Sequence, residues 1–282
     1  MNLILEIFKF IIYSLLIVAI SKYILVKLLR KLAESLELSP KAVGNIAGIA
    51  TSVPELLTVS FSAFAGFIGT SAYNILSSNI INLLQYVFSI FLNENQKSIK
   101  NRAIKIDLII VVITIIIPIL MLVTDLEFNI SIVVIFILLF IFFYYINSNV
   151  HKLYLKKEDN ELSEEIVKET KKIGGKKLII VKYVIYLLVT AIGLYIVGNL
   201  LSNTLTNLSN IFNIPEVILG IALGVITSIP ELITFFESQK HYRNEDSSEL
   251  GVIEATNNLL TSNVLNLFAI QSIGIIIYTI FG

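Results

Sequence analysis

The chain alternates long apolar runs with short polar breaks. Crossing about 30 Å of hydrocarbon takes roughly 20 apolar residues in a helix. Eight segments reach that length, at 3–29, 40–66, 69–93, 104–123, 128–148, 177–201, 214–238 and 250–281. Runs such as Ile109 to Ile117 and Ile130 to Phe143 lack the in-and-out alternation of a transmembrane strand, so the pattern predicts an all-α, polytopic membrane protein. The first run is too long for a cleaved signal peptide, and no small-residue cleavage site follows it.

Charge in the breaks predicts orientation. Connections near 30–39, 94–103, 149–176 and 239–249 hold Arg30, Lys31, Lys97, Lys100, Arg102, a Lys-rich central loop, Lys240 and Arg243. Those at 67–68, 124–127 and 202–213 hold no Lys or Arg. The positive-inside rule puts the first set in the cytoplasm, which makes a multi-pass cell-membrane protein with both termini extracytoplasmic. Lys9 and Lys22 are exceptions within the first span, and Lys22 can snorkel or face protein.

Composition narrows the class further. Residues are 56% hydrophobic and 15% charged, with mean hydropathy +0.84, against about 25% charged in a soluble domain. Fifteen of the 42 acidic and basic residues lie between His151 and Lys182. Their crowding divides the chain into a first transmembrane half (1–150), a charged cytoplasmic loop (151–176) read as a solvated tether, and a second transmembrane half (177–282). The balance of 21 basic and 21 acidic residues argues against nucleic acid as a partner, and the absence of Cys excludes a disulfide scaffold. No HExxH, nucleophile elbow or Cys/His pair points to an enzyme or a resident cofactor.

An internal repeat carries the candidate chemistry. Residues 44–58 read GNIAGIATSVPELLT and 220–234 read GIALGVITSIPELIT, with eight of fifteen positions identical at an offset of 176. A second pair follows, NILSSNIINLL at 74–84 and NLLTSNVLNLF at 258–268, at an offset of 184. On the predicted topology the two copies run in opposite directions, the inverted-repeat signature of secondary transporters with a site near the bilayer midplane. The expected fold therefore has discontinuous helices.

Pro54 and Pro230 lack an amide proton and clash with the carbonyls of Ala50 and Ile226, which breaks each motif helix inside the membrane. Thr51, Ser52, Thr227 and Ser228 set hydroxyls beside the breaks, and Glu55 and Glu231 follow at once. A charge at the bilayer centre costs about +3 kcal/mol or more, and no Lys or Arg in the same spans lies at a matching depth. A bound cation, or protonation in its absence, is the obvious way to hold two such carboxylates. Carboxylates, carbonyls and hydroxyls form an all-oxygen set suited to hard cations such as Ca²⁺ and Na⁺, while the lack of Cys, and of His in the spans, disfavours softer metals.

Ser78, Asn79 and Asn82 share a helical face, as do Ser262, Asn263 and Asn266. Ser77, Thr261, Asn79 and Asn263 fit interhelical glue as well as they fit a site. Asp107, Glu216, Glu237 and Glu254 lie near span ends, where carboxylates can reach interfacial water; Glu254 sits on the cytoplasmic approach to Ser262.

The paired TSxPE and SN-x-x-N segments in inverted orientation resemble the alpha repeats of the sodium/calcium exchanger family, within the cation/calcium antiporter superfamily. The resemblance covers roughly residues 40–90 and 214–275. It implies that Glu55 and Glu231 bind Ca²⁺ and that the Thr51 and Thr227 carbonyls complete the site. It further implies that Ser52 and Ser228 help hold Na⁺, and that Ser78, Asn82, Ser262 and Asn266 line the same centre. Where the family usually has Gly before Thr-Ser and before Ser-Asn, this chain has Ala50, Ile226, Ser77 and Thr261. Some members have Asp at the place of Asn266. Members also carry five helices per half, so the resemblance implies that the last two are lacking here, in a naturally short chain, a truncated one, or one completed by a partner chain or homo-oligomer.

The expected function is a secondary active antiporter that moves Ca²⁺ outward against Na⁺ through a lipid bilayer, both ions being substrates. Two alternatives remain open from the residues alone. Closely placed carboxylates can carry H⁺ instead of Na⁺, and a chain without its last helices could be a cation-binding subunit that does not transport.

Overall fold

The computed structural model describes residues 2–28, 45, 48–124, 129–158, 177–243 and 248–282. Asn2 caps α1 (Leu3–Ile20) by accepting from the Ile4 amide at 3.0 Å, and a π-helical stretch, Ser21–Val26, prolongs that helix. Then come α2 (Val53–Phe64), α3 (Ile68–Leu92), α4 (Arg102–Val123) and α5 (Ile130–Glu158). The second half holds α6 (Lys177–Thr206), α7 (Glu216–Thr227), α8 (Ile229–Arg243), α9 (Ser248–Val264) and α10 (Gln271–Phe281). There is no strand among the described residues. Among the described residues six helical stretches are long and apolar enough to cross a membrane, and Gly48–Phe64 and Ile130–Tyr145 are shorter apolar ones, together matching the eight predicted spans.

Both motif helices are discontinuous, as the prolines predict. Residues 48–51 are helical, Ser52 breaks the run with ψ 0°, and α2 begins at Val53. The second copy does the same: α7 ends at Thr227, Ser228 has ψ 0°, and α8 begins at Ile229. Pro54 and Pro230 thereby occupy the first turn of the following helix, where a missing N–H costs nothing. At the far end of α2, Gly66 adopts φ +88°, and the Phe67 amide closes back on the Ser62 carbonyl at 2.9 Å. This left-handed stop lets α3 return beside α2.

Two predicted boundaries move. The connection expected at 202–213 is helical as far as Ile211, with a π-helical stretch over Asn207–Ile211. No Gly or Pro interrupts it, and the Thr204 and Thr206 hydroxyls fold back onto the Leu200 and Ser202 carbonyls at 3.0 and 3.1 Å. Polar side chains satisfied in this way do not stop a helix; the chain turns only at Asn213, with φ +53°, ahead of Pro215. Similarly, α5 continues to Glu158, into the segment expected as loop. The rest of that loop, 159–176, lies outside the described residues, as do Arg30, Lys31 and the motif residues Gly44, Ile46 and Ala47.

Burial differs from that of a water-soluble protein. Val134, Leu138 and Ile141 on α5 and Leu188, Val189, Ile192 and Ile196 on α6 are exposed, while Glu, Asn, Ser and Thr share the interior with apolar side chains. Helices pair their own backbone groups, so an apolar exterior around a partly polar interior suits a lipid solvent; the chain is a multi-pass membrane protein. One apolar cluster joins α1, α6 and α7 through Phe10, Ile17, Leu194, Leu201, Leu219 and Leu223. A second joins α3, α4, α8 and α9 through Tyr86, Ile90, Val111, Phe235 and Leu259. Lys9, one of the two exceptions within the first span, pairs at 2.8 Å with buried Glu6, which also accepts from Asn207 at 3.1 Å and so ties α1 to the end of α6.

Candidate cation site

All ten residues singled out from the sequence lie in the interior: Thr51, Ser52, Glu55, Ser78, Asn82, Thr227, Ser228, Glu231, Ser262 and Asn266 are each no more than 2% exposed. The helical turn at 48–51 lies against α9, and α7 lies against α3. Close approach there depends on glycine. A Cβ on Gly48 would stand 2.8 Å from both the Asn258 carbonyl and the Thr261 Cβ, and one on Gly224 would stand 2.7 Å from the Asn74 carbonyl. These two glycines are equivalent in the repeat. They leave room for Ser77 and Thr261 at positions where a smaller residue was expected.

Each break faces the opposite repeat. The Thr51 hydroxyl lies 3.4 Å from Asn258 Oδ1, and the Thr227 hydroxyl lies 3.5 Å from Asn74 Oδ1. Thr227 also lies 3.4 Å from the Ser78 hydroxyl. Asn74 and Asn258 head their motifs, and their identity at an offset of 184 was the signal that could have marked them. On the other side, the Ser52 hydroxyl is 2.8 Å from the Gly48 carbonyl and 2.9 Å from Ser262 Oγ, and Ser262 donates to Glu231 Oε1 at 3.1 Å.

The two glutamates are near enough for their charges to repel one another, and the hydroxyls of Thr227 and Ser78 face Glu55 as those of Thr51 and Ser262 face Glu231. No Lys or Arg among the described residues pairs with either. Several buried oxygens have no hydrogen-bond partner: both of Glu55, Oε2 of Glu231, Oδ1 of Asn82 and of Asn266, and Oγ of Ser228. Buried polar atoms are ordinarily paired, because an unpaired one costs about 1–3 kcal/mol. These six orphaned oxygens all belong to the repeated motifs and, bearing up to two negative charges, are of the kind that a hard cation satisfies. No group of three His, Cys, Asp or Glu occurs among the described residues, so the region is rich in oxygen but holds only two carboxylates.

The four amides of the partner helices form a pseudo-symmetric cross. Asn79 Nδ2 donates to the Asn263 carbonyl at 3.2 Å, and Asn263 Nδ2 donates to the Asn79 carbonyl at 3.1 Å. Asn82 Nδ2 reaches Asn263 Oδ1 at 3.1 Å, and Asn266 Nδ2 reaches Asn79 Oδ1 at 3.2 Å. The backbone, however, differs between the two repeats. Asn266 lies within a π-helical stretch, Leu265–Ile270, whereas α3 is regular through Asn82. Such widened turns recur at functional sites.

Of the weaker acidic candidates, Glu237 is exposed, as expected at a span end. Asp107 and Glu254 instead are buried, at 2% and 1% exposed, with Ser238 donating to Glu254 at 2.6 Å. Packing of α8 and α9 encloses Glu254, which single-span hydropathy cannot register. Glu216 accepts from the Thr70 amide at 2.8 Å.

A family model described as sodium/calcium exchanger protein matches residues 7–149 and 182–281. No curated protein matches. Among solved structures, the sodium-calcium exchanger NCX_Mj soaked with 10 mM Na⁺ and zero Ca²⁺ is similar over 98% of this chain and 84% of its own, at 19% identity and TM-score 0.52. The H⁺/Ca²⁺ exchanger CAX is similar over 98% of this chain and 68% of its own, at 14% identity and TM-score 0.62. At these identities the two structures establish a shared fold.

Proposed function

The chain belongs to the sodium/calcium exchanger family, and from that premise we propose that it is a secondary active antiporter exchanging Ca²⁺ for Na⁺ by alternating access. Glu55 and Glu231 hold the transported ion. Thr51, Ser52, Ser78, Asn82, Thr227, Ser228, Ser262 and Asn266 surround it with neutral oxygen. One observation carries this reading: the unpaired, buried oxygens of Glu55, Glu231, Asn82, Asn266 and Ser228, with no cationic side chain among the described residues to balance the two carboxylates. A single Ca²⁺ neutralises both carboxylates, whereas Na⁺ must occupy more than one position to do so, and competition between the ions follows. The repeats at 44–84 and 220–268 supply the two halves of the site, and alternate exposure of that site to the two faces moves the ions. Both termini lie on the extracytoplasmic side in this reading.

The test is ⁴⁵Ca²⁺ uptake by proteoliposomes preloaded with Na⁺. Uptake that collapses when Na⁺ is equalised supports the proposal, and uptake no greater than in protein-free vesicles refutes it. A second reading has its own observation. Glu55 and Glu231 are both fully buried with no Lys or Arg partner among the described residues, so protons can take the place of metal on the pair, which would couple Ca²⁺ to H⁺. Uptake driven by a pH gradient without Na⁺ would favour it, and saturable Ca²⁺ binding with no flux would mark a non-transporting subunit.

A further inference from the structure

We propose that Asn79 and Asn263 are positioning residues that oblige Asn266 and Asn82 to present oxygen, and not nitrogen, to the cation. The inference rests on the reading of Asn82 and Asn266 as ligands and adds what sets their orientation.

A side-chain amide has an oxygen that only accepts and a nitrogen that only donates. Asn79 and Asn263 each face the other's main-chain carbonyl, at 3.2 and 3.1 Å. A carbonyl only accepts, so the amide nitrogens of both residues must lie there, and their oxygens are thereby turned the other way. Those oxygens meet Asn266 at 3.2 Å and Asn82 at 3.1 Å. Because an oxygen demands a donor, Asn266 and Asn82 must turn their nitrogens toward the lock. Their own Oδ1 atoms are then left facing away from it, and both are buried without a partner.

A flipped Asn266 would set oxygen against oxygen at Asn79 and point an NH₂ group at a cation, losing on both sides. All four amides are fully buried, so water cannot relieve either clash. Each lock also crosses the pseudo-symmetry axis: Asn79 of the first repeat orients Asn266 of the second, and Asn263 of the second orients Asn82 of the first. Neither repeat presents its amide ligand without the other. In the SN-x-x-N motif, the first Asn orients and the second binds.

A carboxylate provides the test, because its two oxygens are alike and it cannot face the wrong way. Ca²⁺ affinity of the purified full chain is measured by ⁴⁵Ca²⁺ scintillation proximity for Asn79→Leu, alone and in an Asn266→Asp background. The expected loss is about tenfold alone. In the Asn266→Asp background no loss is expected, and a gain is consistent, since Asn79 Oδ1 would face a carboxylate oxygen there. Asn263→Leu with Asn82→Asp forms an independent mirror cycle, and Asn79→Ser replaces Asn79→Leu if the latter fails to fold, as judged by thermal melting without Ca²⁺. Equal losses in both backgrounds would make Asn79 a packing residue and overturn the proposal, as would no loss in either. A parent protein that binds no Ca²⁺ would sink the cation reading itself, a separate and recognisable outcome.

Discussion

Replacing Glu55 by Gln separates a ligand from a structural acid by the sign of two effects. Both Glu55 oxygens are buried without a hydrogen-bond partner, and no cationic side chain among the described residues balances them. A charge held near the bilayer centre costs roughly 3 kcal/mol, and a bound cation removes that cost. Gln keeps the shape and gives up the charge, so the variant loses about 3 kcal/mol of binding, close to a hundredfold in Ca²⁺ affinity at 1.4 kcal/mol per tenfold. Without Ca²⁺ the same change relieves a buried carboxylate, so the melting temperature stays level or rises. With Ca²⁺ the parent protein gains stability as RT ln(1 + [L]/Kd), and the variant gains little at the same concentration. Melting curves of the purified protein with and without Ca²⁺, together with direct ⁴⁵Ca²⁺ binding, measure both quantities. The reasoning is refuted if Glu55→Gln binds Ca²⁺ as the parent does, or if its main effect is a lower melting temperature without Ca²⁺.

Other consequences follow from individual contacts. Gly224→Ala would push a Cβ to 2.7 Å from the Asn74 carbonyl and 2.9 Å from the Ser78 amide, forcing α7 off α3; a cost of about 1–3 kcal/mol should lower the melting temperature and abolish flux, and an unchanged melt would contradict the packing described. Thr51→Val and Thr227→Val should weaken Ca²⁺ binding by similar factors, because each hydroxyl meets the opposite repeat's Asn at nearly the same distance, 3.4 and 3.5 Å; a loss from one alone would show that the two breaks are inequivalent. Asn207→Leu leaves one oxygen of buried Glu6 without its donor, at about 1–3 kcal/mol, read as a lower melting temperature with Ca²⁺ affinity retained. If the melt does not move, Glu6 does not tie α1 to α6.

How much was legible beforehand varies with the range of the interaction. Pro54 and Pro230 announced the helix breaks because proline's missing donor is a property of one residue, and both breaks occur at the serines two residues earlier. The apolar runs announced their helices for a similar reason, since in lipid each span must satisfy its own backbone. Boundaries fared less well. Thr204 and Thr206 looked like loop residues, but their hydroxyls found carbonyls four residues back and the helix went on to Ile211. Glu6 passed unnoticed because its partner Asn207 lies far away in sequence, and Glu254 looked solvent-accessible until Ser238 and the packing of α8 on α9 enclosed it.

The sequence by itself determined the membrane class, the inverted repeat and the residue types from which a site could be made, because hydropathy, proline chemistry and self-similarity can all be read along one chain. Only the tertiary structure decided which of those residues meet. That Ser52 reaches Ser262, that Thr51 faces Asn258 while Thr227 faces Asn74, and that Asn79 and Asn263 grip each other's backbone are relations between repeats more than 140 residues apart. Their physical basis is the close helix approach that Gly48 and Gly224 permit. Within that approach a buried donor accepts only a partner of the right kind, and this selects one arrangement of the amides and hydroxyls.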